Sequence, residues 1–106
     1  MPKTTSKLSC YIELAESGSE NDIDCIMNNL NEDMTFNDSR FIDYALGLVK
    51  SKEGVEKIKQ YLFSGTQIQR NYCTLFFNRR SEKGDWEIVK TAYNMGFIDA
   101  IQAFSK

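Results

Sequence analysis

Apolar residues recur along this chain at spacings of three and four, which is typical of amphipathic helices. Seven such stretches follow one another, and their apolar stripes begin at Leu8, Ile23, Phe41, Val55, Ile68, Trp86 and Phe97. The single proline is at position 2, and no alternating run of β-branched residues indicates a strand. The pattern predicts seven helices joined by short loops.

Residues that can cap helices stand at the expected boundaries. Three pairs have the spacing of an N-terminal capping box or a close relative of it: Ser19–Asp22, Thr35–Asp38 and Thr66–Gln69. Asp85 is expected to cap the sixth helix. Three glycines are expected to end helices in the left-handed conformation: Gly18, Gly65 and Gly96.

The apolar stripes also repeat from one helix to another. Those of the even-numbered helices align at offsets of 32 and 31 residues, as Ile26, Ile58 and Val89 illustrate. The first helix aligns with the third at an offset of 33, and the third with the fifth at 28, so we expect about three extra residues in the last copy, at 81–84. A period in this range, built from two helices, is the signature of a helical solenoid.

Two stretches carry the repeat most clearly: FIDYALGLVKSKEGVEKIKQYLFSG and TQIQRNYCTLFFNRRSEKGDWEIVKTAYNMG. They resemble the HEAT-like family in helix length, in the small residues Ala45 and Gly47 and in Arg70 after the turn, although that family's frequent proline is missing. The resemblance implies an α-α superhelix of three helical hairpins plus a C-terminal helix, with residues 1–106 as one all-α HEAT-like domain. An irregular helical bundle of evenly sized helices stays open as the alternative.

In HEAT-like solenoids the second helix of each hairpin lines a concave binding surface. Equivalent outward positions here are Glu56 and Glu87, Lys59 and Lys90, Gln60 and Thr91, and Phe63 and Asn94. The resemblance therefore implies a partner-binding strip across neighbouring hairpins. Alternatively, the charged members are solvated pairs three residues apart that add only slightly to helix stability.

The most basic stretch contains Arg70, Asn78, Arg79, Arg80 and Lys83. Such a cluster can contact phosphate groups, which would make the basic C-terminal half a nucleic-acid-binding surface. Arg79 and Arg80 also suit a helix C-terminus, where cations complement the macrodipole. The sequence pI of about 5.1 weakens the nucleic-acid hypothesis.

Aromatic residues are assigned by helical position. Trp86 is predicted to fill the core, and Phe97 and Phe104 to cap the last hairpin or, alternatively, to pair with a second copy of the chain. Successive helical residues lie about 100° apart, so Phe76 and Phe77 are not both expected to face inward. Phe77 is predicted to be the exposed one.

Composition narrows the classes of function. Hydrophobic residues form 42% of the chain and charged residues 26%, as in ordinary globular domains. No apolar run approaches the roughly 18 residues of a membrane span, and the start lacks signal-peptide character, so a cytoplasmic protein with no membrane partner is expected.

Chemistry-bearing residues are sparse. Histidine is absent, which excludes Cys–His metal sites and Ser–His or Cys–His catalytic pairs. The three cysteines, Cys10, Cys25 and Cys73, are widely spaced among apolar neighbours and predicted to be buried thiols. No catalytic residue, metal site or cofactor is predicted.

Charge is divided unevenly along the chain. Residues 1–39 carry two basic and eight acidic residues, a net charge of −6, whereas residues 40–106 carry eleven and seven, a net +4. This polarity can steer a charged partner or promote head-to-tail association of two copies. A small regulatory or toxin-neutralising protein, using its acidic half against a basic target, is a further interpretation.

These observations favour a small helical-repeat module that acts as a scaffold or regulator by binding another protein or itself, and that is not an enzyme. Binding of nucleic acid is the alternative. The candidate partner-binding residues are Glu56, Lys59, Phe63, Arg70, Phe77, Arg79, Arg80, Lys90 and Asn94.

Overall fold

The computed structural model describes residues 6–106. Residues 1–5, part of the N-terminal stretch that was expected to lack signal-peptide character, lie outside the described residues. The described chain forms seven helices and no strand, which confirms the all-α prediction. The helices are α1 (Lys7–Ser17), α2 (Glu20–Asn28), α3 (Phe36–Leu46), α4 (Lys52–Ser64), α5 (Gln67–Arg80), α6 (Asp85–Asn94) and α7 (Ala100–Ala103).

The chain divides into two compact units, Met1–Val55 and Glu56–Lys106. In the first unit, α1 packs against both α2 and α3. In the second unit, α5 packs against α6, and the short α7 contacts both of them. Helices α1 and α2, and likewise α5 and α6, therefore form helical hairpins.

Burial repeats along the chain with a period of 31 residues. Four sets of buried positions show it: 11, 42 and 73; 15, 46 and 77; 23, 54 and 85; and 27, 58 and 89. The predicted offsets of 33 and 28 between odd-numbered helices are wrong, because they match the buried Tyr11 with the exposed Tyr44 rather than with Ile42. With a period of 31, no extra residues are needed at 81–84.

The three predicted capping pairs are confirmed. The side chains of Ser19, Thr35 and Thr66 each accept a hydrogen bond from the backbone N–H three residues later. The backbone N–H groups of Thr35 and Thr66 in turn donate to the side-chain oxygens of Asp38 and Gln69, which completes the box at α3 and α5. Each box satisfies backbone N–H groups that a helix start leaves without partners.

The glycine predictions are confirmed in part. Gly18 and Gly96 have positive φ, of 64° and 84°, as expected for left-handed helix ends. Gly65 is not among the glycines with positive φ, so that prediction is wrong. Glycine is favoured at position 65 for a steric reason, because an added Cβ would lie 2.6 Å from the Tyr61 carbonyl oxygen.

Cysteine burial was predicted correctly at one position of three. Cys73 is buried, and burial raises the pKa of its thiol. Cys10 and Cys25 are exposed, so their predicted burial is wrong. Their apolar neighbours Tyr11 and Ile26 face the core instead, because adjacent helical residues point in different directions.

Two polar contacts organise the first unit. Lys7 Nζ on α1 donates to both carboxylate oxygens of Asp38 on α3, at 3.1 and 3.3 Å. The hydrogen bond from Lys7 and that from the Thr35 backbone lower the pKa of Asp38, and Asp38 in turn raises the pKa of Lys7. Farther along the unit, Ser51 Oγ donates to the Gly18 carbonyl oxygen at 2.7 Å.

Gly18→Ala is expected to destabilise the protein more than Gly96→Ala. Both substitutions place a side chain at positive φ, which costs about 1–2 kcal/mol. At Gly18 the new Cβ would also overlap Ser51 Oγ, whereas Gly96 has open space around it. Displacing Ser51 should add at least about 1 kcal/mol for its lost hydrogen bond. Urea denaturation followed by circular dichroism measures both variants; equal losses would contradict the packing of Ser51 on Gly18.

Asp38→Asn should reduce stability at neutral pH but make little difference in acid. A carboxylate whose folded pKa is depressed contributes stability above its unfolded pKa and loses it as the pH falls through the folded pKa. The urea midpoint of the wild type should therefore exceed that of the variant above the ordinary Asp value of 3.8 and converge with it below. A gap that persists in strong acid would show that the carboxylate charge is not involved.

Candidate protein-binding surface

A buried carboxylate closes the turn between α5 and α6. Arg80 donates through Nε to Asp85 Oδ2 and through Nη2 to Asp85 Oδ1, both at 2.9 Å, and the Glu82 backbone N–H donates to Oδ2 at the same distance. Asp85 was predicted to cap α6, which is wrong: the N-cap is Gly84, without a side-chain hydrogen bond. The bidentate pair instead fixes where α6 begins, and it raises the pKa of Arg80.

A second polar contact holds α7 in place. Asn78 on α5 donates from Nδ2 to the carbonyl oxygens of Ala103 and Ser105, at 2.8 and 2.7 Å. The residue between these two is Phe104. One amide on α5 thus fixes the backbone on both sides of an aromatic side chain.

These two contacts bring together the rings of Trp86 and Phe104, whose centroids are 5.4 Å apart at an interplanar angle of 34°. Trp86 remains 44% exposed and Phe104 72%, and Ile101 on α7 is 82% exposed. The prediction that Trp86 lies in the core is wrong. Phe104 is also too exposed to cap the last hairpin by burying its ring. Trp86 on α6 and Phe104 at the end of α7 therefore form an exposed aromatic pair, and Ile101 on α7 is a further exposed apolar residue.

Beside these rings lies a groove of about 330 Å³, which we call the aromatic groove. The buried residues Phe77 and Ala103 form its floor, the two rings flank it, and Glu82 and Lys106 contribute charge. Pockets at the lower end of the usual ligand-site volumes suit one small apolar group. The arrangement fits an apolar anchor with charged groups next to it.

The groove is lined by apolar residues together with polar ones such as Asn78, Ser81 and Glu82. Within residues 6–106, no three acidic or cysteine side chains lie close enough together to hold a metal ion. What the groove presents is apolar area with a polar edge, which is the composition of a protein interface.

Phe77 does not belong to the exposed surface, and its predicted exposure is wrong. It is 0% exposed, and its neighbour Phe76 is buried too. Their rings meet edge to face at 5.1 Å, and the Arg80 guanidinium lies 5.6 and 5.9 Å from the two ring centres. Helix α5 is covered by both α6 and α7, so its buried face is wide enough to take two successive residues.

Arg70 and Phe63 are brought together, but inside the second unit. Arg70 donates to the carbonyl oxygens of Gly65 and Phe97, at 2.8 and 3.1 Å, and its guanidinium lies 5.5 Å from the centre of the Phe97 ring. Phe63 meets the same ring edge to face at 6.0 Å. Both side chains are partly buried, and their contacts stabilise the fold.

The other predicted residues lie nearer the surface. Glu56, Arg79, Lys90 and Asn94 are exposed, and Lys59 is half-buried. Lys90 and Asn94 are one turn apart on α6, on the same face. Sequence reasoning missed Ile101 as a surface residue. The available signals were the nearby polar residues Asp99 and Gln102 and a segment too short for a clear hydrophobic period.

The first unit has an exposed aromatic surface of its own. Phe36, the first residue of α3, is 74% exposed, and the Arg40 guanidinium lies 5.7 Å from its ring centre. Tyr44 is exposed on the same helix and borders a cavity of about 360 Å³. Leu8 on α1 and Phe41 also line this cavity.

Asp85→Ala is expected to lower the free energy of unfolding by about 2–3 kcal/mol. The substitution leaves the Arg80 guanidinium and the Glu82 N–H without their acceptor in a largely buried place. Glu82→Ala is the matched control: its carboxylate is exposed and 3.7 Å from Arg80, so the loss should stay below about 1 kcal/mol. Urea denaturation monitored by the fluorescence of Trp86, the only tryptophan, reports both values. Similar losses would refute the role of Asp85 in closing the turn.

Comparison of the chain with protein-family models, with curated proteins and with solved structures finds no match. No helix in residues 6–106 has the length and apolar character needed to cross a membrane. Any role for the surface on α6 and α7 therefore has to be argued from its geometry alone.

Proposed function

We propose that this protein is a small helical-repeat module that binds other proteins, as a scaffold or regulator, and that it has no catalytic activity. The observation that carries the proposal is the exposed pair of rings, Trp86 and Phe104, beside the aromatic groove, with Ile101 exposed three residues before Phe104. Exposed apolar patches with polar surroundings mark sites of protein association.

The physical properties of this surface suit binding. Aromatic side chains, tryptophan above all, dominate the energy of protein interfaces when they pack into desolvated pockets. Asn78 and the Arg80–Asp85 pair hold the two rings in place before any partner arrives. Such preorganisation reduces the conformational entropy that is lost on association.

The 31-residue repeat of burial supports the helical-repeat part of the proposal. Each copy supplies buried positions on two successive helices, as in solenoids that stack helix pairs. The HEAT-like resemblance of the sequence and a cytoplasmic location belong to the same proposal.

Nucleic-acid binding is less well supported. Arg70 and Arg80, two of the three arginines in the basic cluster, are engaged by backbone carbonyls or by Asp85. Phosphate binding depends on cations that can approach the backbone of the nucleic acid. With these two guanidinium groups engaged inside the fold, the cluster loses much of its phosphate-binding capacity.

Site-specific photocrosslinking in cells tests the proposal. The photoreactive residue p-benzoylphenylalanine is placed at position 101, on the surface of α7, or at position 95 as a control. Both residues are exposed and neither lines the groove, but Ile101 lies on α7 three residues before Phe104, whereas Met95 follows the end of α6. We expect covalent adducts with protein from position 101, identified by mass spectrometry, and few from position 95. Equal labelling from both positions, or none from 101, would refute a binding role for this surface.

A further inference from the structure

The first unit contains a segment that complements the aromatic groove. Glu32 and Asp33 are exposed in the turn before α3, and Phe36 follows at the start of that helix. The turn is ordered by hydrogen bonds from the Asp33 N–H to the Asn31 side chain, at 2.8 Å, and from the Met34 N–H to the Asn31 carbonyl. The segment thus places two exposed carboxylates three and four residues before an exposed aromatic ring, against which the Arg40 guanidinium lies.

The groove is lined by one acidic and one basic residue, Glu82 and Lys106, and a second lysine stands beside it. Lys106 lines it, and Lys83 is exposed next to Glu82 on its edge. The volume of about 330 Å³ leaves room for one aromatic ring beside Trp86 and Phe104, which are already in contact with each other. An incoming ring would make the offset or edge contacts that aromatic side chains prefer.

Net charge agrees with this local match. The unit Met1–Val55 carries five basic and ten acidic residues, a net charge of −5, and the unit Glu56–Lys106 carries eight and five, a net +3. Opposite charges on two surfaces accelerate their encounter and disfavour like-with-like docking. Every copy of the chain therefore carries a net acidic unit that exposes Phe36 and a net basic unit that contains the aromatic groove.

We propose that the aromatic groove binds a second copy of this chain, through the segment Glu32, Asp33 and Phe36 of that copy. This inference rests on the proposed function, since it names the partner of the same surface. Phe36 enters the groove against Trp86 and Phe104, and the two carboxylates lie toward Lys83 and Lys106. The contact is heterologous, because different surfaces of the two copies meet.

The first test is sedimentation velocity of the full chain over a range of concentrations. We expect the average mass to rise with concentration and the Trp86 emission to shift to the blue as its ring is buried. Raising the ionic strength from about 0.01 to about 1 M shortens the Debye length from about 30 to about 3 Å and should weaken association. A protein that stays monomeric at every concentration in low salt would overturn the proposal.

The decisive test mixes two variants. Phe36→Glu removes the anchor, and Phe104→Glu alters the groove; both residues are exposed, so the fold should tolerate the changes. Each variant alone should self-associate at least about tenfold more weakly than the wild type. An equimolar mixture should recover a heterodimer, because the intact groove of one variant meets the intact Phe36 of the other.

Controls separate this inference from the proposed function. Met95→Glu changes an exposed apolar residue outside the groove and should associate like the wild type. If the wild type associates but the mixture stays monomeric, the contact is not between Phe36 and the groove. If the chain is monomeric while position 101 still crosslinks to a different protein, self-recognition fails and the protein-binding function stands.

Discussion

The second unit is organised around one buried carboxylate. Asp85 is 2% exposed and receives three hydrogen bonds, two from Arg80 and one from the Glu82 backbone. A buried charge is costly unless it is paired and hydrogen-bonded, and this one is both. Because Arg80 ends α5 and Asp85 begins α6, the pair sets the direction in which α6 leaves the turn. The position of Trp86, and with it the aromatic groove, depends on that direction.

Sequence reasoning reached the features that local chemistry determines. Capping boxes depend on residues three apart, so Thr35 with Asp38 could be recognised without any tertiary information. Helix content was predictable for the same reason. Which of two neighbouring apolar residues is buried was not predictable. The sequence around Phe76 and Phe77 does not reveal that α5 is covered by both α6 and α7.

The candidate site was harder to predict than the fold. Arginines such as Arg70 were interpreted as surface cations, yet the structure engages Arg70 with carbonyl groups and an aromatic ring. Arg80 was explained by the helix macrodipole, whereas its main partner is a carboxylate five residues later. The groove itself arises from Asn78 holding α7, a contact between residues 25 apart that no periodic pattern encodes.

The copies of the burial repeat differ in the residue types that occupy equivalent positions. The equivalent positions 23, 54 and 85 hold Ile, Gly and Asp, so the same place in the period accepts an aliphatic side chain, no side chain and a charge. At Gly54 an added Cβ would lie 2.7 Å from Val49 Cγ1, and at Asp85 an aliphatic residue would leave Arg80 unmatched. The copies share a geometry but have become individually specialised. Averaging them into a consensus repeat would erase the contacts that give each its role.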